Sequence, residues 1–370
     1  MRQVKKLWTS VRIPLFAILC SLVAGGIIIA LTGSNPFRAY YSLLQGSGLA
    51  PKASYASYKS MLTDFFSYVN YFTPMIFAAL AVAVALKAGL FNIGVSGQML
   101  AAGFTATVIV GYSGLNGVLA KPLVILVGIA AGSLAGALIG LLKYRFNINE
   151  VVSSIMLNYI FQYVISFFIN TYFVDPVSRQ SREVSDAARL TLMNTPVGNL
   201  KLDIPLGIVI ALLAVFLVWF LLAKTRLGYE LKAVGYSRSA AKYAGINVGR
   251  SMVLSMTISG ALAGLAGVTY YLGYVGSIQP KVLISTGFDA IAVSLLGNNH
   301  PVGIIFSTML ITLIGKGSTY MKSAAGVDSE IASVITGIIL LFSACNVYIK
   351  WRMEHRRNTL DAKKAEQSSI

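Results

Sequence analysis

The sequence predicts an all-α fold: a polytopic membrane helical bundle of about ten transmembrane helices, N-in/C-in, with broken or re-entrant segments. Three observations carry that expectation. Hydrophobic residues make up 56% of the 370 positions and charged residues only 12%, about half the charge of a soluble domain. The apolar residues are bunched in long charge-free runs, and a run of about 20 crosses a bilayer as a helix. The basic residues concentrate in short stretches between those runs, the pattern of loops on the cytoplasmic side.

Charge-free windows occur at 14–32, 122–142, 151–173, 204–223, 251–272 and 331–349, with shorter or interrupted ones at 73–90, 98–112, 282–297 and 301–315. The first window follows Arg2, Lys5, Lys6 and Arg12. Its apolar run exceeds the roughly 7–15 residues of a signal-peptide core, so it reads as a retained span. Residues 91–98 and 276–300 are rich in Gly and Asn, which marks adjacent segments as broken or re-entrant. The net charge of +17 would suggest nucleic acid in a soluble chain. In this chain it points instead to loops beside anionic lipid. With the N-terminus inside, residues 1–13, 143–150, 224–250 and 350–370 lie in the cytoplasm and carry 18 Lys and Arg, against 11 on the outer pieces 33–72, 113–121, 174–203, 273–281 and 316–328. The expected organisation is a cytoplasmic N-terminus over 1–13, a transmembrane domain over 14–349 containing a cytoplasmic loop at 224–250, and a cytoplasmic tail over 350–370.

Inside the membrane, Gly128, Gly132, Gly136 and Gly140 recur every four residues, and Gly260, Gly264 and Gly267 repeat the device. Small residues at this spacing let two helix backbones approach closely. Ser154, Asn158, Gln162, Ser166 and Asn170 are also four apart, and such a stripe drifts only about 40° per step. It either hydrogen-bonds neighbouring helices or lines a wet route for a polar solute. Asp289 is the acid well inside an apolar segment and must face protein or water. It could serve a proton relay or bond backbone amides near Gly287.

Several chemistries are missing. There is no G-x-x-x-x-G-K-[ST] phosphate loop and no G-x-S-x-G nucleophile elbow. His300 and His355 have no metal-ligand spacing. Cys20 and Cys345 both lie in apolar runs. The sequence therefore offers no catalytic residues, no metal site and no cofactor of its own. An ion-coupled secondary transporter would need embedded acids, for which Asp289 is a lone candidate.

Four stretches carry a resemblance. They are Lys87-Ala-Gly-Leu-Phe-Asn-Ile-Gly-Val-Ser-Gly-Gln98, Met156-Leu-Asn-Tyr159, the run from Thr225 through Gly235, Ala240-Ala241 and Ala244-Gly-Ile-Asn247 to Ser259-Gly-Ala-Leu-Ala-Gly264, and Gly287 to Gly297 followed by Asn299-His-Pro-Val-Gly303. Together they resemble the membrane permeases of bacterial ABC importers in the branched-chain amino acid/ribose permease superfamily. Asn35-Pro36-Phe37 with Ala39-Tyr40 is similar to the branch that serves nucleosides and simple sugars. Ser96 departs from that branch, which usually has an acid there. The resemblance implies a bacterial plasma-membrane importer for a nucleoside or simple sugar. Its expected partners are two cytoplasmic ATP-binding subunits or a fused tandem ATPase, a second permease (heterodimer or homodimer) and a solute-binding lipoprotein. ATP and magnesium would reside on the ATPase subunits. On this reading Asn92, Ser96, Gln98, Asn158, Gln162 and Asp289 belong to the substrate pathway. Arg238, Ala240, Ala241, Lys242, Ala244 and Gly245 belong to a short helix, Ser237 to Ala244, that docks on an ATPase.

Overall fold

The computed structural model describes residues 18–52 and 58–344. The expectations for residues 1–13, Cys345, His355 and the tail 350–370 fall outside them. The chain divides into two compact units, Leu44–Lys316 and a smaller one made of Met1–Leu43 with Gly317–Ile370.

Helix α1 (Ile18–Leu31) turns by 114° into α2 (Pro36–Gly46). The Asn-Pro-Phe motif builds that corner. Asn35 caps α2 by accepting from the backbone N–H groups of Phe37 and Arg38 at 3.0 and 3.3 Å, and Pro36 occupies the first helical position, where its missing N–H costs nothing. Within the smaller unit, Tyr40 donates to Leu22 O at 2.5 Å. A Cβ on Gly25 would sit 2.6 Å from Ile335.

The larger unit opens with α3 (Met61–Lys87), started by a Ser60/Thr63 capping box. This helix begins well before the expected window at 73–90 and takes in part of what reads as an outer loop. Helix α4 (Val95–Ala106) continues as a π-helical turn, Thr107–Gly111. Next come α5 (Gly117–Phe146) and α6 (Glu150–Phe168), the latter ending in a second π turn, Ile169–Phe173.

Residues 191–205 depart from the expected all-α fold. Thr191–Val197 (β1) and Leu200–Pro205 (β2) pair antiparallel, with an irregularity between Leu192 and Thr195. Apolar and polar residues alternate along β2 from Leu200 to Ile204, and Gly198, whose φ is +61°, supplies the turn, which favours a hairpin over a helix. The chain then forms α7 (Gly207–Lys224), α8 (Arg226–Tyr236), α9 (Arg238–Tyr243) and α10 (Val248–Thr269), which ends in a third π turn, Tyr270–Val275. Residues 276–285 are irregular, so α11 (Thr286–Leu296) is shorter than the window 282–297. Helix α12 (Pro301–Ala325) runs ten residues past the expected end at 315, so Lys316 and Lys322 are helical rather than in an outer loop. Helix α13 (Ser329–Ala344) follows.

Six of these helices are long and apolar enough to cross a membrane, and the bent pair α1–α2 makes a seventh candidate. The chain is a multi-pass membrane protein. Helices α3 and α10 are the most deeply buried, and α5 packs along α10 through the glycines. A Cβ on Gly132 would lie 2.7 Å from Gly264 Cα, one on Gly136 2.9 Å from Gly260 Cα, and one on Gly260 2.9 Å from Gly136 Cα. On the other side, a Cβ on Gly267 would lie 2.8 Å from Met99 Cα of α4. Helices α5, α10 and α4 therefore meet backbone to backbone.

Candidate functional site

Two stretches of non-helical backbone lie at the depth of the bundle. The first, residues 88–94, joins α3 to α4. Gly89 at φ +67° lets the chain reverse, and Leu90 N–H bonds back to Ala85 O at 3.0 Å. The second is residues 276–285. The register of α6 gives the depth of both. Lys281 N–H donates to Ser166 Oγ at 2.7 Å, and Gln162 Nε2 donates to Lys281 O at 2.7 Å. Asn158, a further turn back, holds the start of α4. Its Oδ1 accepts from Gly97 N–H at 2.9 Å and its Nδ2 donates to Ile93 O at 3.1 Å. Asn158 is about 12 Å along α6 from Glu150. Helix α4 therefore begins inside the bundle, not at its edge.

The first N–H groups of a helix have no partners within it, and α4 has no side-chain cap of its own on Gly94. Asn158 supplies the missing acceptor from a neighbouring helix. Asn92 completes the arrangement. Its Nδ2 donates to Gln98 Oε1 at 3.1 Å and to Ser259 Oγ at 2.8 Å, and its Oδ1 accepts from Gly94 N–H at 3.0 Å. Ser259 passes a hydrogen bond to Ala81 O at 2.7 Å, and Ser255 passes one to Val84 O at 3.2 Å. Ser96 Oγ donates to Ile284 O at 2.9 Å, which ties α4 to the second interrupted stretch. A Cβ on Gly287 would sit 2.9 Å from Ser96 Cα, so the N-termini of α4 and α11 abut.

Asn92, Ser96, Gln98 and Asn158 are thus brought together and fully buried, with their polar atoms bonded to protein. Gln162 is half-buried on the same stripe, bonded to the irregular stretch. Asp289 lies one turn into α11 and is also half-buried. The stripe on α6 faces inward at Ser154, Asn158 and Ser166, while Asn170 at its end is exposed.

At the other end of α4, hydrogen bonds from the segment 181–190 hold the π turns. Ser185 N–H donates to Gly111 O at 3.1 Å, Val184 N–H to Gly276 O at 3.0 Å and Leu190 N–H to Leu272 O at 3.0 Å. The segment 181–190 therefore laces α4 and α10 together.

The short helix expected between Ser237 and Ala244 is α9, capped by Ser237, which accepts from Ala240 N–H at 3.3 Å. Arg238, Ala240, Lys242, Ala244 and Gly245 are exposed. Ala241 is not part of that exposed face. It is 3% exposed and packs with Ala85, Leu90, Ile139, Val234 and Met252, on the side of the short helix that meets the bundle. Tyr236 and Tyr243, each 94% exposed, flank Ala240 and Ala244, which stay on the exposed face. Two tyrosines seven residues apart around a basic pair are the signal that could have found them. Arg238 Nη2 donates to Gly89 O at 3.4 Å, and a Cβ on Gly89 would lie 3.1 Å from Gly235 Cα. The α8–α9 corner therefore bears directly on the turn that leads to Asn92. Sequence reasoning did not single out Ser255, and it met Ser259 only as the first residue of the motif Ser259-Gly-Ala-Leu-Ala-Gly264, with no partner assigned to it.

The family model for "Branched-chain amino acid transport system / permease component" matches residues 65–344. Among curated proteins, the chain is 36% identical over 345 residues to the guanosine ABC transporter permease protein NupP of Bacillus subtilis, covering 92% of this chain and 95% of that one. It is 34% identical over 349 residues to the nucleoside ABC transporter permease protein NupB of Lactococcus lactis, covering 92% of each. It is 27% identical over 353 residues to a glucose ABC transporter permease of Haloferax volcanii, covering 93% and 89%. The chain belongs to this family of transport-system permeases and is a membrane subunit of an ABC transporter.

Proposed function

We propose that this permease is the translocating subunit of a bacterial plasma-membrane importer for nucleosides, with simple sugars as the neighbouring substrate class. Two cytoplasmic ATP-binding subunits, or a fused tandem ATPase, drive it and hold the ATP and magnesium. A second permease, most naturally a different chain, completes the membrane core, and a solute-binding lipoprotein delivers substrate from outside. The relatives named for guanosine and nucleosides over nine-tenths of the chain support the substrate class.

Ten membrane-inserted helices follow if the three shorter apolar helices, Val95–Gly111, Thr286–Leu296 and Ser329–Ile339, join the six long ones and the bent pair. The basic-residue asymmetry supports N-in/C-in, with 1–13, the loop 224–250 and 350–370 in the cytoplasm. The hairpin and the segment 181–190 then face outward.

The observation that carries the mechanism is α9: an exposed helix whose corner rests on Gly89, one short stretch from Asn92. An ATPase pair that closes against Tyr236, Arg238, Ala240, Lys242, Tyr243 and Ala244 pushes on residues 88–94. It thereby acts on the start of α4, on Ser96 and on residues 276–285. Non-helical backbone is tolerated at membrane depth where it is buried in protein or lines a water-filled cavity. The exposed Gln279, Lys281 and Ser285 support the second role for residues 276–285. Asn92, Ser96, Gln98 and Asn158 set the wall of this route, and Gln162 and Asp289 edge it. ATP binding shifts the balance of outward- and inward-facing states only through differential affinity. A swing from 1:99 to 99:1 takes about 5.5 kcal/mol, which two such contacts, one per permease, divide.

Reconstitution tests this. The chain with its second permease, ATPases and binding protein should accumulate nucleoside in vesicles only with ATP. Tyr243→Ala should leave assembly and thermal stability intact while cutting transport per ATP hydrolysed by about tenfold. Uptake by this chain alone on a proton or sodium gradient would replace the reading with a secondary transporter.

A further inference from the structure

A second cluster lies apart from the buried amides, on the hairpin side of them. Tyr71 of α3 and Tyr274 of the third π turn have ring centroids 5.3 Å apart, with planes at 60°. Tyr270 lies 6.0 Å from Tyr274. Lys316 of α12 donates from Nζ to the Tyr274 hydroxyl at 3.2 Å, and its ammonium is 5.2 Å from the centre of that ring. Asp289 sits in the first turn of α11, which packs against α3; its N–H donates to Ser285 O at 2.9 Å, and its carboxylate lies within electrostatic reach of the Tyr71 hydroxyl. None of the five side chains is packed out of reach: each is half-buried. Lys316 is about 14 Å from the end of α12 by helical rise. An amine this far inside a spanning helix carries a large insertion cost, and such residues mark solute routes; Asp289 stands at the start of the short apolar helix α11, next to the irregular stretch 276–285.

We propose that Tyr71, Tyr270, Tyr274, Asp289 and Lys316 form a transient stacking site for a nucleobase that carries a ring N–H beside a carbonyl, as in hypoxanthine, guanine and uracil. This assignment rests on the nucleoside reading above. Aromatic side chains stack on any base through its π face. A simple sugar has no such flat face. The ionisable pair adds direction. An ionised carboxylate only accepts and an ammonium only donates. Asp289 therefore suits the ring N–H, and Lys316 suits the adjacent carbonyl oxygen. Adenine and cytosine present a bare ring nitrogen at that place. Opposite Asp289 this would set two acceptors against each other and leave both unpaired, a penalty larger than the gain of one hydrogen bond. The site need not hold substrate tightly, because a binding protein performs capture and a passing solute must leave.

The test uses the complete transporter in vesicles and two labelled probes, inosine and adenosine, which differ at this edge of the base. Asp289→Asn, whose amide can meet either edge, should lower the inosine-to-adenosine uptake ratio about fivefold relative to wild type with the same binding protein. Tyr274→Ala should slow both probes about tenfold, and Tyr274→Phe, which keeps the ring, should retain most uptake. Size-exclusion profiles check assembly. If Tyr274→Ala does not assemble, the ratio in Asp289→Asn and the rate in Tyr274→Phe still decide. An unchanged ratio in assembled Asp289→Asn, or Tyr274→Phe as slow as a fully assembled Tyr274→Ala, overturns the site alone. A wild-type complex that imports neither probe overturns the nucleoside reading and the site with it.

Discussion

The seam between α5 and α10 and the crossing of the two interrupted spans solve the same problem by opposite means. The seam has no side chains to speak of at its centre. Gly128, Gly132, Gly136, Gly260 and Gly264 bring the backbones so close that an added Cβ has nowhere to go. Its stability is dispersion between closely fitted surfaces, which has one good geometry and no alternative partners. The crossing is held by amides and hydroxyls: Asn92, Gln98, Asn158, Ser96 and Ser259. Hydrogen bonds can be exchanged for others, including water, at little net cost. A transporter needs one part that stays and one that rearranges, and on the proposed reading residue type assigns them.

Substitutions should separate the two regions, the largest effect coming at the seam. Gly260→Leu forces a branched side chain into the backbone of α5, and overpacking on this scale costs about 3 kcal/mol or more. The assembled complex should be lost from membranes, as read by gel filtration and thermal unfolding. Asn158→Leu leaves Gly97 N–H and Ile93 O without their partner, a cost of about 2–4 kcal/mol for two buried groups. Its melting point should fall while some folded complex remains, and uptake should fall further than abundance does. Ser259→Ala removes one link of the Asn92 chain and should cost about 1 kcal/mol in thermal unfolding. Gln162→Ala, at a half-buried site, should cost under about 1 kcal/mol yet change transport kinetics, because it frees Lys281 O beside the route. Equal stability losses at Gly260 and Gln162 would erase the distinction drawn between the regions.

Much of this was legible in the sequence. The glycine spacing announced the seam, and the four-residue polar stripe announced the inward face of α6. Ser237 with the small residues after it marked α9. Some elements were not legible for physical reasons. The hairpin at 191–205 lies between spans, where hydropathy is silent and pairing depends on residues fourteen apart, Thr191 with Pro205. Lys316 read as a loop residue because one charge ends an apolar window, although a helix tolerates a lysine that meets Tyr274. Ala241 read as part of a docking face because composition does not reveal rotation about a short helix. The cluster draws on α3, the third π turn, α11 and α12, and Tyr71, Tyr274 and Lys316 come together only after folding.

The central claim is that residues 88–94 and 276–285 rearrange during turnover while the α5–α10 seam does not. Hydrogen–deuterium exchange on the complete transporter, trapped with a non-hydrolysable ATP analogue and compared with the nucleotide-free form, measures it directly. Exchange should change at residues 88–94 and 277–285 and stay slow and equal in both forms over 128–140 and 256–268. Nucleotide-dependent exchange across the glycine seam, with the interrupted stretches unmoved, would contradict the account.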